Sequence, residues 1–110
     1  MKPLISYHDN GQKQSEHWMV NGGYHRLGGP ARECWYEDGR KYCEEWFTNG
    51  KLCRLGGPVY QSWYENGQKQ FDRWFFNGTL YCSTQEYTDA LVRQDCMTKA
   101  EALLLILKWK

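Results

Sequence analysis

The chain is short of proline, of aliphatic residues, of surplus charge and of long apolar runs, and each shortage excludes something. The longest apolar stretch, Ala102 to Leu107, falls far short of the roughly 20 residues a membrane-spanning helix needs. The opening Met1-Lys2-Pro3-Leu4-Ile5 holds no apolar segment of signal-peptide length. A soluble, cytoplasmic protein with no membrane contact is therefore expected. Fourteen basic and 13 acidic side chains, net charge +1, are interleaved and set up no field that would steer the chain toward phosphate or a membrane surface. The basic stripe of a nucleic-acid binder is missing. No Cys-x-x-Cys pair occurs among Cys34, Cys43, Cys53, Cys82 and Cys96, so a zinc ribbon or a redox motif of that type is unsupported. The expectation is free thiols in a reducing compartment, with a metal site built from Cys34, Cys43 or Cys53 and a histidine as the alternative.

Recognisable catalytic groupings are also lacking. His8, His17 and His25 have no serine or aspartate partners at a known spacing. Glu37 and Glu44-Glu45 resemble paired carboxylates, but Glu37 lies beside a turn and the other two on a strand where solvation suffices. Leu27-Gly28-Gly29-Pro30 is followed by neither the helix nor the lysine of a phosphate-cradling loop. No enzymatic activity, cofactor or metal is expected.

What the chain does have is aromatic rings and glycine. Six Trp, eight Tyr and four Phe supply the apolar area, each large ring burying on the order of 150–250 Å². Eleven glycines against three prolines indicate many tight turns.

The rings and turns recur. Arg26-Leu27-Gly28-Gly29-Pro30-Ala31 returns 28 positions later as Arg54-Leu55-Gly56-Gly57-Pro58-Val59, and Trp35-Tyr36-Glu37-Asp38-Gly39 returns as Trp63-Tyr64-Glu65-Asn66-Gly67 at the same step. Trp18, Trp46 and Trp74 form a third series, and Asn21-Gly22, Asn49-Gly50 and Asn77-Gly78 a fourth. Four concordant series define an internal repeat. Gly11, Gly22, Gly39, Gly50, Gly67 and Gly78 each follow Asn or Asp, the strongest short-range signal for a type I′ hairpin. Stretches such as 40–47 and 68–76 between them are strand-like, and Gly-Gly-Pro ends pairing and makes a wider loop. The predicted fold is mainly β, an antiparallel hairpin meander of about 2.5 repeats with a helical cap. Adjacent aromatics such as Trp35-Tyr36 and Trp63-Tyr64 must send one ring to each face, so the sheet is expected to be thin, with rings on both sides. Trp18, Trp35, Trp46, Trp63, Trp74, Gly29, Pro30, Gly57 and Pro58 are the predicted framework.

These motifs, carried by Tyr36, Gly39, Trp46, Asn49, Gly50, Arg54, Gly57 and Pro58 with their counterparts one unit away, resemble MORN-like repeats over about residues 7–82. Gly28 and Gly56 stand where that family often has an acidic residue. The resemblance implies a β-hairpin scaffold without catalysis, of a kind abundant in giant-virus, phage and antitoxin-labelled bacterial proteins.

After Glu86 the sequence turns helical, with the repeat array over 1–86 and the helical segment over 87–110. Thr88 is the expected cap of the first stretch, and Thr98-Lys99-Ala100-Glu101 is a capping box. The prediction is two short helices, or one broken near Met97. The second stretch is apolar around its full circumference and must bury more than one face. It is expected to cap the last hairpin and to offer Leu103, Leu107 and Trp109 to a second copy or a target.

The function expected from all this is non-enzymatic protein binding. The resemblance points to a viral or mobile-element protein that binds, and inhibits, a host defence or toxin protein. A virion accessory role is one alternative. Binding of single-stranded nucleic acid or glycan through exposed rings, with Arg26, Arg40, Arg54 and Arg73 contacting phosphate, is the other.

Overall fold

The computed structural model describes residues 2–54 and 56–109. Eleven strands precede two helices: β1 (Leu4–Tyr7), β2 (Lys13–His17), β3 (Met19–Val20), β4 (Gly23–Tyr24), β5 (Arg32–Trp35), β6 (Lys41–Glu45), β7 (Phe47–Thr48), β8 (Lys51–Leu52), β9 (Tyr60–Trp63), β10 (Lys69–Phe76), β11 (Thr79–Tyr81), α1 (Thr84–Arg93) and α2 (Lys99–Lys108). Seven strands form one antiparallel sheet in the order β1-β2-β5-β6-β9-β10-β11, and β3-β4 and β7-β8 form two small hairpins beside it. The fold is mainly antiparallel β with C-terminal helices, as the sequence predicts. It is also thin, measuring 48 × 36 × 18 Å.

The meander is interrupted at tryptophan. Trp46 donates its N–H to Val59 O of the main sheet at 2.8 Å, yet its own carbonyl accepts from Cys53 N within the small hairpin. Trp18 does the same with Ala31 O and His25 N. The stretch 40–47, read as one strand, is therefore split. The chain changes hydrogen-bonding partner at each of these tryptophans, and the small hairpin swings out of the sheet there.

Two turn types alternate, where the sequence predicts one. Asn21, Asn49 and Asn77 have φ of 52°, 52° and 50° and are followed by left-handed glycines, as type I′ turns require. At Asn10-Gly11, Asp38-Gly39 and Asn66-Gly67 only the glycine is left-handed. There the side-chain Oδ1 accepts from the amide two residues on, in Gln12, Arg40 and Gln68. These wider turns carry the register shifts seen in β1-β2, β5-β6 and β9-β10. An Asx bond holds the Asn or Asp in ordinary φ and leaves the left-handed position to glycine.

Neighbouring units are also tied side chain to backbone. His8 Nε2 donates to Trp35 O, and Tyr36 OH to Trp63 O, each at 2.8 Å. His8 thus does the work of the tyrosine one unit later.

The first helix begins earlier than predicted. Ser83, not Thr88, caps α1, its side chain accepting from Glu86 N, and the 86/87 boundary falls inside the helix. Thr88 is buried and donates to Gln85 O. Ser83-x-x-Glu86 has the spacing of an N-terminal box, which outranks an isolated threonine. The Thr98 box is present as predicted. It is α1 that lies against β10 and β11, and α2 packs on α1. The core sits at this junction, where Trp74, Tyr87 and Leu91 are buried among Phe76, Tyr81, Met97, Leu105 and Trp109.

Candidate interaction surface

Arg26 and Arg54 belong to the framework. The Arg54 guanidinium lies 3.9 Å from the Trp46 ring centre, donates to Pro58 O at 3.0 Å and has Glu44 at 3.8 Å. Arg26 repeats the arrangement over Trp18 at 4.4 Å, with Pro30 O at 3.2 Å and Glu33 at 3.7 Å. Gly29 and Gly57 are required by this clasp: a Cβ on Gly29 would stand 2.9 Å from Arg26 Cζ, and one on Gly57 would overlap Arg54 Nε. Both arginines, expected as contact residues, are engaged within their own unit because stacking on indole and donating to the loop carbonyl use both their face and their edge.

Beneath the clasps lies a charged row that the repeat hides. Strand register aligns Ile5, Glu16, Glu33, Glu44, Gln61 and Asp72 across one face of the sheet. Lys41 bridges Glu33 at 2.9 Å and Glu44 at 3.0 Å, and Lys69 reaches Asp72 at 3.3 Å. Gln61 donates to Glu44 at 2.6 Å. Like charges directly opposed destabilise a ladder, and the interposed cations relieve this.

The indole N–H groups of Trp18, Trp46 and Trp74 are buried without an acceptor among the described residues. The recurrence at equivalent positions shows that ring area, not hydrogen bonding, is what the repeat uses there. Each such donor costs about 1–3 kcal/mol.

The opposite face carries two further rows: Ser6, Ser15, Cys34, Cys43, Ser62 and Phe71, and Leu4, His17, Arg32, Glu45, Tyr60 and Arg73. Small side chains floor a groove of about 850 Å³, walled by Tyr36 and Tyr42 on one side and by His17 and Arg32 on the other. Burial, and then the Arg32 charge, lower the His17 pKa from 6.5 and favour its neutral ring. Arg32 is held by Glu45. Periodicity pointed to the aromatics rather than to this floor. The signal that would have found it is the run of small residues at Ser6, Ser15 and Cys34, legible only once strand register is known.

Of the predicted helical contacts, Trp109 is turned inward. Its Nε1 donates to Gly56 O at 3.0 Å, and its ring meets Trp74 edge-on at 5.8 Å. Leu103 and Leu107 are 62% and 64% exposed, and Leu104, which the sequence reading did not single out, is 69% exposed. Ala102, on the opposite side, is buried, and Leu105 packs on the core. Comparison with protein-family models, with curated proteins and with solved structures finds no match to the chain. No described helix is long and apolar enough to cross a membrane.

Proposed function

We propose that the chain is a non-enzymatic protein-binding repeat module whose contact surface is the outward face of α2. One observation carries this reading. Leu103, Leu104 and Leu107 stand 62%, 69% and 64% exposed on a helix whose other side is anchored through Ala102, Leu105 and Trp109. At about 100° per residue the three leucines form one face, with Glu101 and Lys108 on the same flank at opposite ends. The partner's surface is accordingly apolar with charge of both signs at its rim. Three leucines supply less than the ~800 Å² per partner of a standard interface, so the contact takes in that rim as well. The MORN-like spacing extends the proposal to a viral or mobile-element protein that binds and inhibits a host defence or toxin protein.

A second copy also meets this description. Antiparallel pairing of two α2 helices sets Glu101 of each beside Lys108 of the other and interleaves the leucines. Light scattering on the intact chain and on Leu103→Asp/Leu107→Asp distinguishes the two occupants: a dimer lost in the variant identifies self-association. A monomer that retains a stoichiometric protein only when the leucines are intact identifies a separate partner. Unchanged binding by the variant, or a monomer that retains no protein, refutes the reading.

A further inference from the structure

Cys34 on β5 and Cys43 on β6 are directly opposed in register, and both are free thiols. Opposed residues in an antiparallel ladder share a face with Cα atoms about 4.5–5.5 Å apart, within the roughly 4.4–6.8 Å that a disulfide spans. Cys34 lines the groove and is 8% exposed, against 2% for Cys43 beside it. Arg32, on the same face, places Nη1 3.5 Å from Cys43 Sγ and is fixed there by Glu45. A held guanidinium stabilises negative charge on the pair.

We propose that Cys34 and Cys43 form a reversible thiol–disulfide couple that hydroperoxides oxidise, Cys34 attacking and Cys43 resolving. The division of roles agrees with the direction in which each thiol's pKa is shifted. The Cys43 thiol, as hydrogen-bond donor, and then the Arg32 charge hold the Cys34 pKa down to about 7 from 9.0. The same hydrogen bond, together with burial, pushes Cys43 up.

The Cys34 thiolate attacks one peroxide oxygen. An S–O bond forms, the O–O bond breaks, and the leaving oxygen takes a proton and departs as water, leaving a sulfenic acid. Cys43 sulfur then attacks Cys34 sulfur; the S–S bond forms, the S–O bond breaks, and the hydroxyl leaves with the Cys43 proton as a second water. Two thiols and one hydrogen peroxide become one disulfide and two waters, two electrons passing from sulfur to oxygen. A dithiol reverses the step by exchange. The bridge would lock β5 to β6 at the middle of the sheet, apart from the α2 face.

The test is thiol mapping of the intact chain after stoichiometric hydrogen peroxide, with alkylation and peptide mass analysis. The expected product is a linked Cys34–Cys43 peptide that dithiothreitol reopens, formed equally in a Cys53→Ser/Cys82→Ser/Cys96→Ser variant. In Cys43→Ser, dimedone should capture Cys34 as the sulfenic acid. If Cys34 and Cys43 stay reduced while the exposed Cys53, Cys82 and Cys96 oxidise, the couple does not exist. That mapping needs no variant, so a folding defect in Cys43→Ser cannot obscure it.

Discussion

Trp109 donates its indole N–H to the carbonyl of Gly56, 53 residues earlier, at 3.0 Å. This bond fastens the chain's end to the loop of the second unit. It also brings the Trp109 ring within 4.9 Å of the Arg54 guanidinium, so that Arg54 contacts Trp46 and Trp109 at once. In the first two units an arginine covers the repeat tryptophan. In the third, Cys82 holds the arginine's place, and Tyr87 and Trp109 cover Trp74 instead.

Removing that closure should be costly. Trp109→Ala is expected to destabilise by about 3 kcal/mol, as loss of a large packed ring does. Trp109→Phe, which loses chiefly the bond to Gly56, should cost about 1 kcal/mol. Urea unfolding followed by far-UV circular dichroism measures both. Equal losses in the two variants would show that the ring itself contributes nothing.

The Arg54 clasp predicts non-additivity. Arg54→Ala should cost about 2 kcal/mol through the lost indole stacking and the charged bond to Pro58 O. Gly57→Ala should cost a comparable amount by displacing the same side chain. The double variant should then be little worse than Arg54→Ala alone, because the added methyl fills space already vacated. Gly29→Ala should be milder than Gly57→Ala, since Arg26 stacks on one ring. A double variant equal to the sum would remove the clasp as the reason for the glycine.

The two turn types predict opposite responses to glycine. Asn49→Gly should fall within about 0.5 kcal/mol of the parent, because its left-handed φ suits glycine. Asn66→Gly should cost about 1 kcal/mol, since it loses the bond to Gln68 N and gains backbone freedom in the unfolded chain. Thermal unfolding of the two variants checks the order.

The outward leucines should be dispensable for folding. Leu103→Asp and Leu107→Asp are expected to change stability by less than about 0.5 kcal/mol, whereas Leu91→Ala in the core should cost about 2–5 kcal/mol. Large destabilisation by either aspartate would place those leucines in the fold rather than on a contact surface.

Cys34 should react as a low-pKa thiol. Only the thiolate alkylates, so its iodoacetamide rate should rise with pH and reach half its maximum near 7 instead of near the ordinary 9.0. Cys43→Ala removes the principal cause and should move that midpoint furthest upward, with Arg32→Gln moving it less. A midpoint unchanged by Cys43→Ala would show that the two sulfurs do not interact.

Repetition made the architecture legible. Asn-Gly and Asp-Gly turns, adjacent rings and Gly-Gly-Pro breaks are local signals, and each encodes backbone geometry within a few residues. The Thr98 box was equally readable because its two bonds span three residues. The clasps of Arg26 and Arg54 were not readable, for a matching reason. As isolated cations they look free for phosphate, and only the approach of Trp18 and Trp46 shows their faces occupied.

By itself the sequence determined the hairpins, the turns' glycines, the tryptophan framework and the presence of C-terminal helices, all set by contacts close along the chain or repeated in it. Tertiary structure alone decided that Trp109 turns inward while Leu103, Leu104 and Leu107 turn outward. It alone set Cys34 against Cys43 and lined up Glu16, Glu33 and Glu44. The reason is register: which side chains meet across neighbouring strands depends on how distant segments align, and a slip of one residue would send every one of them to the other face.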